Sequence, residues 1–285
     1  MRLAFLGTPE MAAPPLRALV ADGHDVRLVV TRADKRRGRG GSLMPSPVKA
    51  AANELGLPVT DQVDEVIDAG AELGVVVAFG RLIKPHVLDA LPMVNVHFSL
   101  LPRWRGAAPL ERAILAGDTE TGVCLMELEE GLDTGPVYAC ERLDIGPEET
   151  ADELRARLVD AGTRLLIDSL REGLGTPTPQ EGEPTYADKI DPAEHHIDWT
   201  EPAEQVHRVV RAGGAWTTFR GKRLKVLSAR LSSNGLEPGA VDGLRVGAKD
   251  GALELVEVQP EGKGPMAATD WRNGAHPRSD ERLGE

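Results

Sequence analysis

The chain has two cysteines in 285 residues, Cys124 and Cys140, and no Cys or His cluster with zinc-ligand spacing. Each cysteine sits in an apolar, strand-like run, so the sequence predicts buried reduced thiols rather than a disulfide or a metal site. No apolar run approaches the ~18–20 residues needed to span a bilayer. Gly7-Thr8-Pro9-Glu10 interrupts the first apolar run too early for a signal peptide, and the default location is the cytoplasm. Positive charge is also short: 33 Lys and Arg stand against 45 Asp and Glu, a net charge of −12. That balance argues against a membrane-surface or wholesale nucleic-acid role. One glycine follows the first strand where a dinucleotide fingerprint would need Gly-x-Gly-x-x-Gly, so NAD is not inferred. No Ser or Cys occupies a nucleophile elbow, which removes covalent catalysis of that type. There is no internal repeat and no low-complexity tract, and the lack of a long apolar surface stripe leaves a monomer as the expectation.

What is present is enough chain for two domains with a sizeable core. Leu3–Gly7 reads as a buried strand, Leu16, Leu19 and Val20 as a helical stripe, and Val26–Val30 as a second strand. This strand–helix–strand opening suggests a parallel sheet. Leu73–Gly80 is an unbroken apolar run, as expected of a strand buried on both faces. Helices are predicted from Pro47 to Gly56, Pro85 to Leu91 and through Leu110–Leu115. A hairpin is predicted from Thr121–Leu128 and Val137–Leu143. A long helix follows from Thr150 to Leu170, with Thr150 and Glu153 as a capping box. Residues 173–184 read as a linker and 185–199 as an extended connector. The remainder holds a helix at Ala203–Ala212 and short strands at 217–219, 224–231, 240–241, 244–246 and 253–258, the pattern of a small barrel or sandwich. Residues 271–285 are polar and read as frayed.

The stretch that orders the rest runs from Val94 to Pro109. Val94, Val96 and Phe98 alternate with Asn95 and His97, so a strand would point both polar groups to one face. The Pro/Gly-rich loop that follows places them at the carboxyl edge of the sheet, where open α/β sheets bind ligands. Asp133, in the turn-rich stretch 129–136, joins them if that loop folds over the strand. Asn supplies an amide donor to a carbonyl oxygen. His exchanges a proton near neutral pH. A carboxylate fixes a histidine tautomer or orders a water. The set suits direct acyl transfer to an amine. Each residue also has a plainer reading, as a strand-end histidine, a turn-capping asparagine and an Asp-Thr-Gly turn, and spacing alone leaves both open.

Cations concentrate in two places. Lys35, Arg36, Arg37 and Arg39 lie among glycines in a predicted loop from Arg32 to Met44, a composition suited to a phosphate backbone. Residues 206–285 carry 13 Lys and Arg against 10 Asp and Glu, whereas residues 1–205 carry 20 against 35. Lys222 and Arg223 lie in the cationic run 220–225 beside a strand.

Three segments resemble one family closely. Asn95-Val96-His97-x-Ser99-Leu100-Leu101-Pro102, Arg103–Pro109 and Gly131-Leu132-Asp133-Thr134-Gly135 are similar to the signature segments of the methionyl-tRNA formyltransferases. Leu43–Lys49, Tyr186–Ile190 and Ile197-Asp198-Trp199 resemble the segment after that family's tRNA-contacting loop and its interdomain connector. The similarity runs nearly end to end and weakens after Met266.

The resemblance implies an α/β fold, with a Rossmann-like formyltransferase domain over 1–184, a connector over 185–202 and a smaller C-terminal OB-like β-barrel that binds tRNA over 203–285. It implies Asn95, His97 and Asp133 as the catalytic set, and Ser99, Leu100, Leu101 and Pro102 as lining a folate site. Lys35–Arg39 would lie at the acceptor end of initiator tRNA, with 10-formyltetrahydrofolate as donor and no metal. Phe98 departs from the family, where many members carry a small residue, and its ring is expected to narrow or reshape the pocket. Glycinamide ribonucleotide formyltransferase and a formyl-folate hydrolase share the same three residues. The connector, the Arg-rich loop and the barrel favour tRNA. A non-catalytic RNA-binding protein would need neither His97 nor Asp133.

Overall fold

The structure, a computed structural model, describes residues 1–37, 41–233, 235–278 and 280–285; the side chains of Arg37 and Ser42 lie outside that description. In chain order the main elements are β1 (Arg2–Gly7), α1 (Ala13–Ala21), β2 (Asp25–Val30), β3 (Lys35–Arg37), β4 (Ser42–Met44), α2 (Pro47–Glu54), β5 (Val59–Thr60), β6 (Leu73–Val77), α3 (Pro85–Ala90), β7 (Met93–His97) and β8 (Arg105–Gly106). They continue with α4 (Pro109–Ala116), β9 (Glu120–Glu127), β10 (Val137–Asp144), α5 (Ala151–Glu172), β11 (Tyr186–Ala187) and α6 (Ala203–Ala212). Last come β12 (Trp216–Phe219), β13 (Lys222–Ser232), β14 (Val241–Asp242), β15 (Arg245–Gly247), β16 (Ala252–Pro260), β17 (Met266–Ala267) and α7 (Ala268–Ala275). The chain divides into two compact units. Met1–Pro109, Glu120–Asp144 and Arg155–Asp188 form the first; Leu110–Thr119, Ile145–Leu154 and Lys189–Glu285 form the second. Among the described residues no helix is long and apolar enough to cross a membrane.

The first unit is built on a seven-stranded sheet of order β10-β9-β7-β6-β1-β2-β5. The five strands from β5 to β7 are parallel, and β9 and β10 continue the sheet antiparallel. Every residue of β6 is buried, as the unbroken apolar run requires. The strand stops at Val77, short of the predicted Gly80, because Ala78 and Gly80 both take positive φ. Chain direction across the sheet reverses beside β1, so ligand-binding loops are expected at the carboxyl ends of β6 and β7. Helix α2 starts where Ser46 accepts a hydrogen bond from the Lys49 amide at 3.0 Å, with Pro47 in its first turn. Helix α5 starts on the predicted capping box, Thr150 N–H donating to Glu153 Oε2 at 2.9 Å.

The second unit holds an antiparallel sheet of six strands, β12-β13-β16-β15-β14, with β17 also on β16. The long β13–β16 pair is interrupted by register shifts around Ser228, which bend it. Alternate residues Leu224 and Val226 of β13, with Leu253, Leu255 and Val258 of β16, are buried against Val206 and Val210 of α6 and Trp271 of α7. This is the predicted smaller OB-like β domain.

Four expectations need correction. The segment Arg32–Met44 is not all loop: β3 and β4 pair antiparallel from Lys35↔Met44 to Arg37↔Ser42. Residues 173–184 are not a free linker, since Thr178 exchanges two 2.8 Å backbone hydrogen bonds with Val137. The described residues of 271–285 are not frayed. Trp271 and Leu283 are buried, and the Leu283 and Gly284 amides each donate at 2.9 Å to Gly239 and Thr218 carbonyls. Cys124 and Cys140 are joined as a disulfide. They lie directly opposite in the β9–β10 register, with Cα atoms 4.1 Å apart, slightly closer than most bridged pairs, and Cys140 is exposed whereas Cys124 is buried. Reading each cysteine within its own strand missed that the hairpin register brings them together.

Candidate active site

Strand β7 positions the first two residues. Asn95 lies opposite Val76 of β6 and Met126 of β9, and His97 lies opposite Cys124. Alternation puts both side chains on one face. Phe98 turns the other way. A Cβ built at Gly162 of α5 would meet Val96 Cγ1 at 2.9 Å, Val123 Cγ2 at 3.0 Å and Phe98 Cε1 at 3.5 Å. The ring therefore fills the α5 side of the sheet, and the expected narrowing of the pocket is not its effect.

The loop after β7 folds back on the histidine. Ser99 is buried and donates through Oγ to the Arg103 carbonyl at 2.6 Å, while the Arg103 amide donates to the Leu100 carbonyl at 3.0 Å. Leu100 packs over β9 at Gly122, where a Cβ would fall 2.5 Å from Leu100 Cδ2; only glycine allows that approach. Leu100, Leu101 and Pro102 are half-buried, and the Leu101–Pro102 peptide is cis. Trp104 follows at φ 61°, an uncommon conformation for a bulky residue and one that carries about 1–3 kcal/mol of strain. Its carbonyl lies 2.9 Å from His97 Nε2. A carbonyl only accepts, so Nε2 carries the proton there and Nδ1 is the atom left facing outward.

Nδ1 faces Asp133. The loop between β9 and β10 brings Asp133 Oδ2 to 3.6 Å from Nδ1, and the side chains of His97 and Asp133 are only 6% and 11% exposed. Asp133 adopts φ 51°, which aspartate tolerates better than most residues. Its Oδ2 also accepts from the Gly106 amide at 2.8 Å. Gly106 has φ 124°, and a Cβ there would strike the Ala187 carbonyl oxygen at 2.8 Å. The carboxylate is thus fixed by a backbone donor while it faces the imidazole. Asn95 is half-buried, and its side-chain amide has no hydrogen-bond partner among the described residues. Such a group is available to donate to a carbonyl oxygen bound over β7.

These features describe a half-closed polar site at the carboxyl edge of a parallel sheet, with an amide donor, an oriented imidazole and a carboxylate. The sequence profile of the formyl transferase family matches residues 1–170, and that of the formyl transferase C-terminal domain matches residues 189–276. A methionyl-tRNA formyltransferase of Roseobacter denitrificans is 47% identical over 96% of this chain and 96% of its own length. The chain belongs to the methionyl-tRNA formyltransferases. Solved structures share the fold. The methionyl-tRNA formyltransferase from Clostridium thermocellum superposes with a TM-score of 0.62 at 17% identity, covering 93% of this chain and 100% of that one. HypX from Aquifex aeolicus, solved with tetrahydrofolic acid, superposes at 0.68 and 19% identity, covering 95% of this chain and 47% of that one.

Within this formyltransferase the cations lie on elements other than those that carry the site residues. Lys35 and Arg36 are exposed on the β3–β4 hairpin, the side chain of Arg37 is outside the description, and Arg39 lies outside the described residues. Lys222 and Arg223 are exposed at the start of β13, in the second unit. The Arg223 guanidinium lies 4.3 Å from the centre of the Trp216 ring. Three site residues escaped sequence reasoning. Trp104 orients His97 through a carbonyl, which no residue type encodes. Gln180, from the stretch that reads as a linker, contacts the Asp133 loop, and Thr185, at the start of the extended connector, accepts from the Trp104 amide at 2.9 Å.

Proposed function

We propose that this chain transfers the formyl group of 10-formyltetrahydrofolate to the α-amine of methionyl-initiator tRNA, for translation initiation. The observation that carries this is the His97–Asp133 pairing beside Asn95, in a chain nearly half identical to a methionyl-tRNA formyltransferase along its whole length. In this reading the α-amine attacks the formyl carbon, its carbonyl electrons move onto oxygen, and Asn95 donates to that oxyanion. His97, held through Nε2–H by the Trp104 carbonyl, keeps Nδ1 towards Asp133 and the reacting centre and, protonated there, is the second donor. The intermediate collapses with cleavage of the bond from the formyl carbon to N10 of the folate. The amine proton leaves towards Asp133, directly or through water, and N10 of the departing tetrahydrofolate takes up a proton. No step draws on a metal.

Residues 1–184 act as the catalytic domain, 185–202 as the connector and 203–285 as the tRNA-binding domain. Leu100, Leu101 and Pro102 line the folate wall, and Ser99 supports it by closing the turn beneath. Lys35, Arg36, Arg37 and Arg39 meet the acceptor end. The chain acts as a monomer in the cytoplasm. The test offers formyl-folate with two acceptors, charged initiator tRNA and glycinamide ribonucleotide. Formyl transfer to the tRNA alone is the expected result. Transfer to the ribonucleotide, or hydrolysis of the donor without either acceptor, overturns this reading.

Lys222 and Arg223 contact tRNA phosphates in the same reading, so tRNA affinity falls steeply between 50 and 200 mM salt. Replacing both with alanine weakens binding and reduces the slope of log K against log salt by about 2, roughly one for each lost phosphate contact. Filter binding across a salt series checks this, and an unchanged slope places the contacts elsewhere.

A further inference from the structure

The stretch between α5 and β11 is stitched to both loops of the active site. Thr178 pairs with Val137, where the Asp133 loop rejoins β10. Thr185 accepts from the Trp104 amide through its hydroxyl and from the Arg105 amide through its carbonyl, each at 2.9 Å. Between them, the Gln180 side chain does something few residues can do. Its Nε2 donates to the carbonyls of Asp133 and Gly135, each at 2.8 Å. Its Oε1 accepts from Arg105 Nε at 3.1 Å and Nη2 at 2.7 Å. A primary amide alone among side chains offers two donors and an acceptor with two lone pairs in one plane. Glutamate cannot donate, and Lys or Arg cannot accept.

The contacts close a ring. Gln180 grips the backbone of Asp133, the Asp133 carboxylate grips the Gly106 amide, and the neighbouring Arg105 side chain returns to Gln180. Asp133 stands in the left-handed region at φ 51°, and its carbonyl and carboxylate are held by separate partners, Gln180 and the Gly106 amide. Relaxing either one alters how far Oδ2 sits from His97.

We propose that Gln180 is a positioning residue for the transfer step: it braces the Asp133 loop against Arg105 and so sets the carboxylate against the imidazole. This rests on the formyl-transfer reading for its rate effects, though not for its geometry. A displacement of the order of 1 Å at such a site can lower the rate by about 10²-fold. We therefore expect Gln180→Ala to lower kcat by about 10- to 100-fold with KM for the formyl donor unchanged. Gln180→Glu, which keeps an acceptor for Arg105 but turns a carboxylate on two carbonyls, falls at least as far. Gln180→Asn, with the same groups on a shorter stem, retains more activity than either.

A purely structural role would lower the melting temperature and leave these ratios alone, so the deciding measurement is a double-mutant cycle with Asp133→Ala. If Gln180 acts through Asp133, Gln180→Ala changes the residual rate by less than about twofold in that background. An equal fold loss with and without Asp133 overturns the proposal, as does an unaltered kcat in Gln180→Ala. Imidazole nitrogen NMR signals, with those of His97 assigned by their loss in His97→Ala, supply a readout that needs no substrate. They shift in Gln180→Ala if the brace sets the carboxylate, and unchanged signals refute it. Absence of formyl transfer by the wild-type chain would sink the functional reading and leave the NMR signals to judge Gln180.

Discussion

Replacing His97 with alanine lowers kcat for formyl transfer by about 10³-fold, within the ~10²–10⁴ range of a positioned acid–base group, while tRNA binding is retained. The size follows from how completely the ring is held. One nitrogen is 2.9 Å from a carbonyl and the other faces a carboxylate, so the ring is held in one orientation. The loss has a structural side as well. Removing the ring takes the donor from the Trp104 carbonyl, at a cost of about 1–3 kcal/mol for a buried polar group left unpaired, while Asp133 keeps the Gly106 amide. Rates should therefore be compared well below the variant's melting temperature. Asn95→Ala gives a parallel loss of about 10²–10³-fold from the oxyanion side, with a smaller stability change because no partner among the described residues is orphaned. Full turnover in either variant, measured with charged initiator tRNA and formyl-folate, removes that residue from the mechanism.

Much of this arrangement is written locally. The Asn-Val-His alternation fixes a common face for the two side chains, and β7 lies where that alternation puts it. The unbroken apolar run of β6 fixes its burial, the Thr150–Glu153 spacing fixes the start of α5, and the spacing of short strands after residue 203 fixes the β character of the second unit. Each of these signals is contained within a few residues. What stayed hidden depends on partners far along the chain. Gln180 meets a loop 47 residues earlier, and nothing about a glutamine among Pro, Thr and Gly announces that. The disulfide needs the register of a hairpin, which two separate strand readings do not contain. Phe98 shows the opposite case. As a departure within a binding motif it suggests an effect on the pocket, whereas strict alternation sends it to the face opposite His97, against α5.

The same contrast governs the C-terminal residues, where polar composition suggested fraying and the fold uses two apolar anchors. Trp271→Ala destabilises the second unit by about 3–5 kcal/mol, the range for removing a large buried aromatic. Trp271 is 5% exposed and packs edge-on against Phe219, with ring centres 5.4 Å apart. Its removal leaves Phe219 facing a void in the core that also holds Leu224 and Val258. Against a typical domain stability of about 5–15 kcal/mol, that loss is a large fraction of the whole. Calorimetry on the full chain is the suitable measurement, because tryptophan fluorescence loses a reporter in the variant. Truncation after Asp270 tests the rest of the segment with it. The cut also removes Leu283 from the core, the Glu281 carboxylate that pairs with Arg220, and the two amide bonds to Gly239 and Thr218. It should therefore destabilise more than Trp271→Ala alone. A frayed tail predicts no change in either variant. A truncated chain with the wild-type melting temperature would show that the sequence composition, rather than the packing, had described these residues correctly.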